Sequence, residues 1–167
     1  MPVFVFVGVS GAGKTTVGGL VARRLDVDFL DTDHVIEATA GKPIPDIFVD
    51  DGEPAFRALE RAAVAAALAD HPGVIALGGG AVMAAETREL LAGRRVVFLD
   101  VGLACAVRRV GLARDRPMLA INPRARMRTL MAERRPLYEA VASITVSTDD
   151  RTPEEVADAV LAMAALP

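Results

Sequence analysis

GVSGAGKTT, residues 8–16, follows the apolar run PVFVFV of residues 2–7. From Gly8 to Thr15 the spacing is G-x-x-x-x-G-K-[ST], a loop whose glycines let successive backbone N–H groups turn inward around phosphate oxygens. In such a loop Lys14 reaches the terminal phosphates and Thr15 a magnesium ion. An apolar strand before the loop and a helical stretch opening at Lys14 separate a nucleotide site from a chance match, and a helix N-terminus adds favourable potential for anions. The chain has only two lysines, Lys14 and Lys42, against seventeen arginines. Where arginine is so strongly preferred, a lysine at position 14 points to a need for a compact ammonium.

Outward from this loop, strand-like runs recur at Val3–Val7, Asp28–Leu30, Val74–Leu77, Arg95–Leu99 and Ser143–Val146. Helical patterning fills Lys14–Leu25, Glu53–Ala69, Ala84–Leu91, Leu103–Val110, Pro123–Tyr138 and Pro153–Ala165, the fifth of these ending near Pro136. The alternation predicts an α/β protein with a parallel sheet and helices on both faces. Thr152 as N-cap, Pro153 at the first helical position and Glu155 three residues after the cap mark the start of the last helix. GLARDRPMLAINP, rich in Gly, Pro and Arg, lacks apolar periodicity and reads as a mobile lid.

A length of 167 residues suits one domain. No apolar run approaches the ~18 residues of a membrane helix, and the N-terminal run leads straight into the phosphate loop, as a first strand does and a signal peptide does not. Cys105 is the single cysteine, which excludes an internal disulfide and reads as an inert thiol in a reducing cytoplasm. The net charge of −3 argues against general nucleic-acid binding. Nine arginines fall between Arg108 and Arg135 against only Asp115 and Glu133, with no aromatic residue interleaved within the cluster, so a small polyanion fits better than a nucleic-acid strand.

Four further stretches carry chemistry. Asp31 and Asp33, in VDFLDTDHV, stand at the C-terminal end of the second strand, where parallel sheets place their sites. One carboxylate caps the following helix in the simplest reading. Beside a phosphate loop, one can instead order magnesium through water while the other deprotonates an attacking hydroxyl. In GEPAFRALE, Arg57 and Glu60 are helical neighbours at i and i+3, either as a solvated ion pair or as part of a site. The three glycines of ALGGGAV, Gly78–Gly80, are costly in chain entropy and serve either close approach of a ligand or a tight turn. ERRPLYEAVA places Arg134 and Arg135 at the expected helix end. Phe48 and Phe56 suit either the core or the wall of a site, and His34 and His71 receive no role.

In order and spacing these stretches resemble those of shikimate kinases: GVSGAGKTT, DTD at 31–33, DGEPAFR at 51–57, LGGGAV at 77–82, RP at 116–117 and RRPLY at 134–138. The resemblance covers nearly the whole chain. It implies a three-layer P-loop kinase fold, of the nucleoside-monophosphate-kinase type. Its five-stranded sheet has order 2-3-1-4-5, with a substrate-binding region over about 32–60 and a lid over about 111–122. It implies transfer of the ATP γ-phosphoryl group to the 3-hydroxyl of shikimate, in the chorismate route to aromatic amino acids. Gly11, Ala12, Gly13, Lys14, Thr15 and Thr16 then hold the nucleotide, with Arg109, Arg151 and Pro153 near the adenine. Asp33 contacts the ring hydroxyls and serves as base. Arg57, Gly79 and Arg134 hold the shikimate, with Gly78 and Gly80 flanking and Glu60 orienting Arg57. The family arginine lies two residues before the proline of RRPLY, which selects Arg134 over Arg135. Lys14 and Arg116 stabilise the phosphoryl group in flight, and Thr15 binds Mg2+ with Asp31 in its outer shell. A cytoplasmic monomer with no nucleic-acid or membrane partner completes the expectation. Gluconate kinase, a nucleoside monophosphate kinase and a non-catalytic nucleotide-binding regulator are the competing readings. The triple glycine and RRPLY favour shikimate over the first two, and intact Lys14, Thr15, Asp33 and Arg116 argue against the third.

Overall fold

The computed structural model of the chain describes residues 1–111 and 122–165. Five strands, β1 (Phe4–Val7), β2 (Phe29–Asp31), β3 (Val74–Ala76), β4 (Val96–Asp100) and β5 (Ile144–Ser147), form one parallel sheet in the order β2-β3-β1-β4-β5. The expected order holds. Every residue of β1 is buried, so both faces of the sheet centre are covered; β5, at an edge, alternates buried and exposed positions. A continuous apolar run and an alternating one are what a central and an edge strand respectively require.

The helices are α1 (Lys14–Arg24), α2 (Thr32–Ala40), α3 (Ile44–Asp50), α4 (Glu53–Asp70), α5 (Ala85–Leu91), α6 (Leu103–Gly111), α7 (Pro123–Val141) and α8 (Pro153–Ala164), with a 3-10 turn at Ala81–Met83. At the start of α8 the Thr152 side chain accepts from the Glu155 N–H at 3.2 Å, the cap read from the sequence.

Two expectations need correction. First, residues 32–50 hold two short helices that periodicity did not reveal. They bury little: Thr32 and Ile36 from α2, and Ile47 from α3. Asp31 caps α2 by accepting from Asp33 N–H at 2.9 Å, Gly41 ends it at φ 72°, and Glu37 accepts from the Ile44 N–H at the start of α3. Second, α7 does not end near Pro136 but carries that proline within it and continues to Val141. Proline removes one helical hydrogen bond. Tertiary ties on both sides hold the helix through it: Arg134 is buried, Arg135 forks onto both oxygens of Asp100 at 2.8 and 2.7 Å, and the Tyr138 hydroxyl donates to the Gly79 carbonyl.

The apolar interior falls into two clusters. The larger surrounds the sheet; the smaller consists of Ile36, Ile47 and Phe56, with Ala40, Ile44, Phe48, Leu59 and Ala63 packed against it beneath α2 and α3. Among the described residues no helix is long and apolar enough to cross a membrane. Arg116 and residues 112–121 of the expected lid lie outside the described residues.

Candidate active site

The carboxyl ends of β1, β2 and β3 open onto a cavity of about 710 Å³. Gly11, Gly13, Lys14, Thr15, Thr16, Asp31, Asp33, Arg57, Glu60, Gly78, Gly79, Gly80 and Arg134 all line it. Ala12 is buried beneath the loop; Arg109, Arg151 and Pro153 stand away from this cavity.

At one end lies the phosphate loop. Gly11 and Gly13 sit at φ 85° and 95°, in the left-handed region that glycine reaches without strain. Gly13 is the N-cap of α1, which leaves the first N–H groups of the helix facing the cavity end. The Lys14 ammonium donates to the carbonyls of Gly8 at 2.6 Å and Val9 at 3.0 Å, curled over its own loop. Thr15 Oγ1 donates to Asp31 Oδ2 at 2.7 Å. Asp31 therefore meets both readings of it, capping α2 with one oxygen and holding the loop hydroxyl with the other. Arg109 braces the loop from outside, donating to the carbonyls of Gly11 at 2.9 Å and Ala12 at 3.4 Å.

At the other end, side chains from α2, α4 and α7 converge over the loop after β3. Arg57 donates to Glu60 at 2.7 Å, in a pair whose side chains are only 17% and 5% exposed, so the solvated-pair reading does not hold. Burial pushes the Glu60 carboxyl above its ordinary value, opposed by Arg57; the Asp33 charge pushes the same way as burial, and Arg134 opposes it. The Nε atoms of Arg57 and of Arg134 are buried and make no hydrogen bond among the described residues, although Arg57 Nε lies 3.5 Å from Glu53 Oε1. Buried cationic N–H groups without a hydrogen bond are costly unless an anion reaches them.

The triple glycine has a reason that neither sequence reading supplied. None of the three lies in the left-handed region. A Cβ on Gly78 would stand 2.8 Å from Asp33 Oδ1 and 2.9 Å from Glu60 Oε2; on Gly80 it would stand 2.5 Å from Arg57 Nη1; on Gly79 it would stand 3.5 Å from Arg134 Nη1. Gly78 and Gly80 make room for the site's own side chains, whereas a Cβ on Gly79 would make only ordinary contacts. Phe48 and Phe56 stack at 4.7 Å in the wall and belong to the smaller core as well, so both alternatives for them are met at once.

Arg135, by contrast, pairs with Asp100 and Glu139 on a half-exposed surface. Of the two neighbouring arginines, only Arg134 faces the cavity. Residues with no role in the sequence reading also line it, namely Ser10, His34, Glu37, Pro43, Ile44, Pro45, Asp46, Leu77 and Leu130. Pro43–Asp46 follow from α3, the helix that periodicity missed.

The shikimate kinase family profile matches residues 10–165. A shikimate kinase of Salinispora arenicola is 60% identical over 164 residues, covering 98% of each chain, and one of Thermobifida fusca is 59% identical over 157 residues, covering 94% of this chain and 91% of its own. The structure of shikimate kinase from Acinetobacter baumannii in complex with shikimate superposes with a TM-score of 0.93 at 37% identity, covering 96% of this chain and 91% of that one. With a phosphate loop and two arginines, Arg57 and Arg134, facing one cavity, and with matches of this extent, the chain belongs to the shikimate kinase family.

Proposed function

We propose that this chain transfers the γ-phosphoryl group of ATP to the 3-hydroxyl of shikimate, giving shikimate 3-phosphate and ADP, in the chorismate route to aromatic amino acids. The observation that carries the acceptor is the pair of guanidiniums of Arg57 and Arg134, whose Nε atoms are buried and make no hydrogen bond among the described residues, in the same cavity as the phosphate loop. A small monocarboxylate with several hydroxyls satisfies both arginines and leaves Asp33 to accept from a hydroxyl.

Phosphoryl transfer asks the protein mainly for positioning and for charge opposite the moving group. The loop from Gly11 to Thr16 binds the nucleotide phosphates through its N–H groups, and the Lys14 ammonium moves from its loop carbonyls to the transferring phosphate. Arg57 and Arg134 hold the acceptor carboxylate, and Glu60 holds Arg57 in place. Asp33 takes the proton of the hydroxyl as its oxygen bonds to phosphorus and the bond to the ADP oxygen breaks. Thr15 and Asp31 offer a hydroxyl and a carboxylate side by side, hard oxygen donors of the kind Mg2+ takes with phosphates and water. Bound there, Mg2+ supplies neutralisation of the phosphate charge. Arg109, Arg151 and Pro153 are assigned to the adenine side.

The chain acts as a single domain, with residues 32–60 forming the substrate-binding region. It works as a cytoplasmic monomer, as the resemblance to the family implies. A turnover assay with ATP and Mg2+ against shikimate, gluconate and nucleoside monophosphates tests the whole reading. Phosphate transfer to shikimate alone is expected; preferential transfer to another acceptor, or none to any, overturns it.

A further inference from the structure

Tyr138 lies outside the main cavity, with its ring 1% exposed and 5.1 Å from that of Phe98. Its hydroxyl nevertheless joins two parts of the acceptor end. It donates to the carbonyl of Gly79, the middle residue of the triple glycine, which lies against the guanidinium of Arg134, one turn earlier on α7: a Cβ on Gly79 would stand 3.5 Å from Arg134 Nη1. Between the two side chains, Pro136 deprives α7 of a backbone hydrogen bond, so the helix alone defines the place of Arg134 less firmly there. Burial pushes the Tyr138 hydroxyl up to about 12, which keeps it a donor at every working pH.

We propose that Tyr138 is a positioning residue for the acceptor, its hydroxyl fixing the Gly79 peptide against the Arg134 guanidinium so that the two present the carboxylate site as one unit. The proposal rests on the reading of Arg134 as a carboxylate-binding group. Phe98 supports the ring, whereas the hydroxyl alone carries the link, and this separates positioning from packing.

Tyr138→Phe removes one oxygen and keeps the ring. The shikimate KM should rise about 5- to 20-fold, the cost of leaving the Gly79 carbonyl without its buried donor, while kcat stays within about twofold and the ATP KM does not move. Phe98→Leu, which thins the packing and spares the hydroxyl, should lower the melting temperature and leave the shikimate KM in place. In an Arg134→Ala background, Tyr138→Phe should add less than about twofold, because the two side chains act as one unit. An unchanged shikimate KM in Tyr138→Phe beside a raised one in Arg134→Ala overturns the positioning role and leaves the reading of Arg134 standing. An unchanged KM in Arg134→Ala overturns that reading and the role of Tyr138 with it. Should Tyr138→Phe fail to fold, the unmutated chain labelled with 3-fluorotyrosine decides the matter, since Tyr138 is its only tyrosine. The single fluorine resonance should shift on saturation with shikimate; one that stays put overturns the proposal.

Discussion

Glycine serves opposite purposes at the two ends of the cavity. In the phosphate loop, Gly11 and Gly13 adopt backbone angles that L side chains rarely tolerate. In the loop after β3, Gly78 and Gly80 have ordinary angles and leave the volume that Asp33, Glu60 and Arg57 occupy. One end is built from backbone in nine consecutive residues, the other from side chains that three separate helices bring over the loop after β3. Damage at the first should therefore appear in catalysis, and damage at the second in acceptor binding.

The sharpest break in that contrast would be a Lys14→Ala enzyme that still turns over. Its kcat should fall about 10³-fold, the scale of one lost charge-stabilising contact in the transition state, with shikimate affinity and melting temperature held. Asp33→Asn tests the border between the two ends: as a base it should lose about 10²- to 10⁴-fold in kcat, whereas a change confined to the shikimate KM would make it a binding group. Next in size, Arg57→Ala and Arg134→Ala should each weaken shikimate binding by roughly 2 to 4 kcal/mol and spare ATP, as calorimetric titration of each ligand would show. Equal losses for both ligands would mean that the ends are not separable.

Gly80→Ala sharpens the volume argument, because the added carbon meets the Arg57 guanidinium at 2.5 Å and has no backbone strain to relieve. The shikimate KM should rise about tenfold, in line with the roughly 1–3 kcal/mol of overpacking, with ATP unaffected. The smallest effect concerns Glu60, whose carboxyl burial holds above the ordinary 4.5. A raised folded value means that its contribution to stability is complete below pH 4.5 and is lost as pH climbs through the raised value. Binding has the opposite sign: once protonated, Glu60 no longer holds Arg57 as an ion pair. The shikimate KM should thus rise about 3-fold as pH falls through the window just above 4.5, a step absent from Glu60→Gln.

The same contrast explains what could be read from residue order alone. The phosphate loop is local, so spacing from Gly8 to Thr15 reveals it, and the alternation of apolar runs with helical stretches reveals a parallel sheet. Strand order is non-local and came from resemblance. The i, i+3 spacing brought Arg57 and Glu60 together, but burial, which turns that pair from a surface contact into part of the site, depends on α2 and α3. Those helices are nine and seven residues long, with prolines at the boundary between them and only Ile36 and Ile47 as buried apolar residues, so they left no period to detect. Tyr138 had a local signal, four residues after Arg134 and on the same helical face, which the expected helix end at Pro136 concealed.

The smaller apolar cluster of Ile36, Ile47 and Phe56 shares no buried residue with the larger one around the sheet. Cooperative units of a fold can open with different free energies, and a reserve of stability is what absorbs new substitutions during evolution. Changes in the wall formed by α2 and α3 draw on the reserve of a three-residue core, while the nucleotide loop rests on the sheet. Acceptor preference and nucleotide use can in consequence drift along separate lines of descent, the first without disturbing the folding of the second.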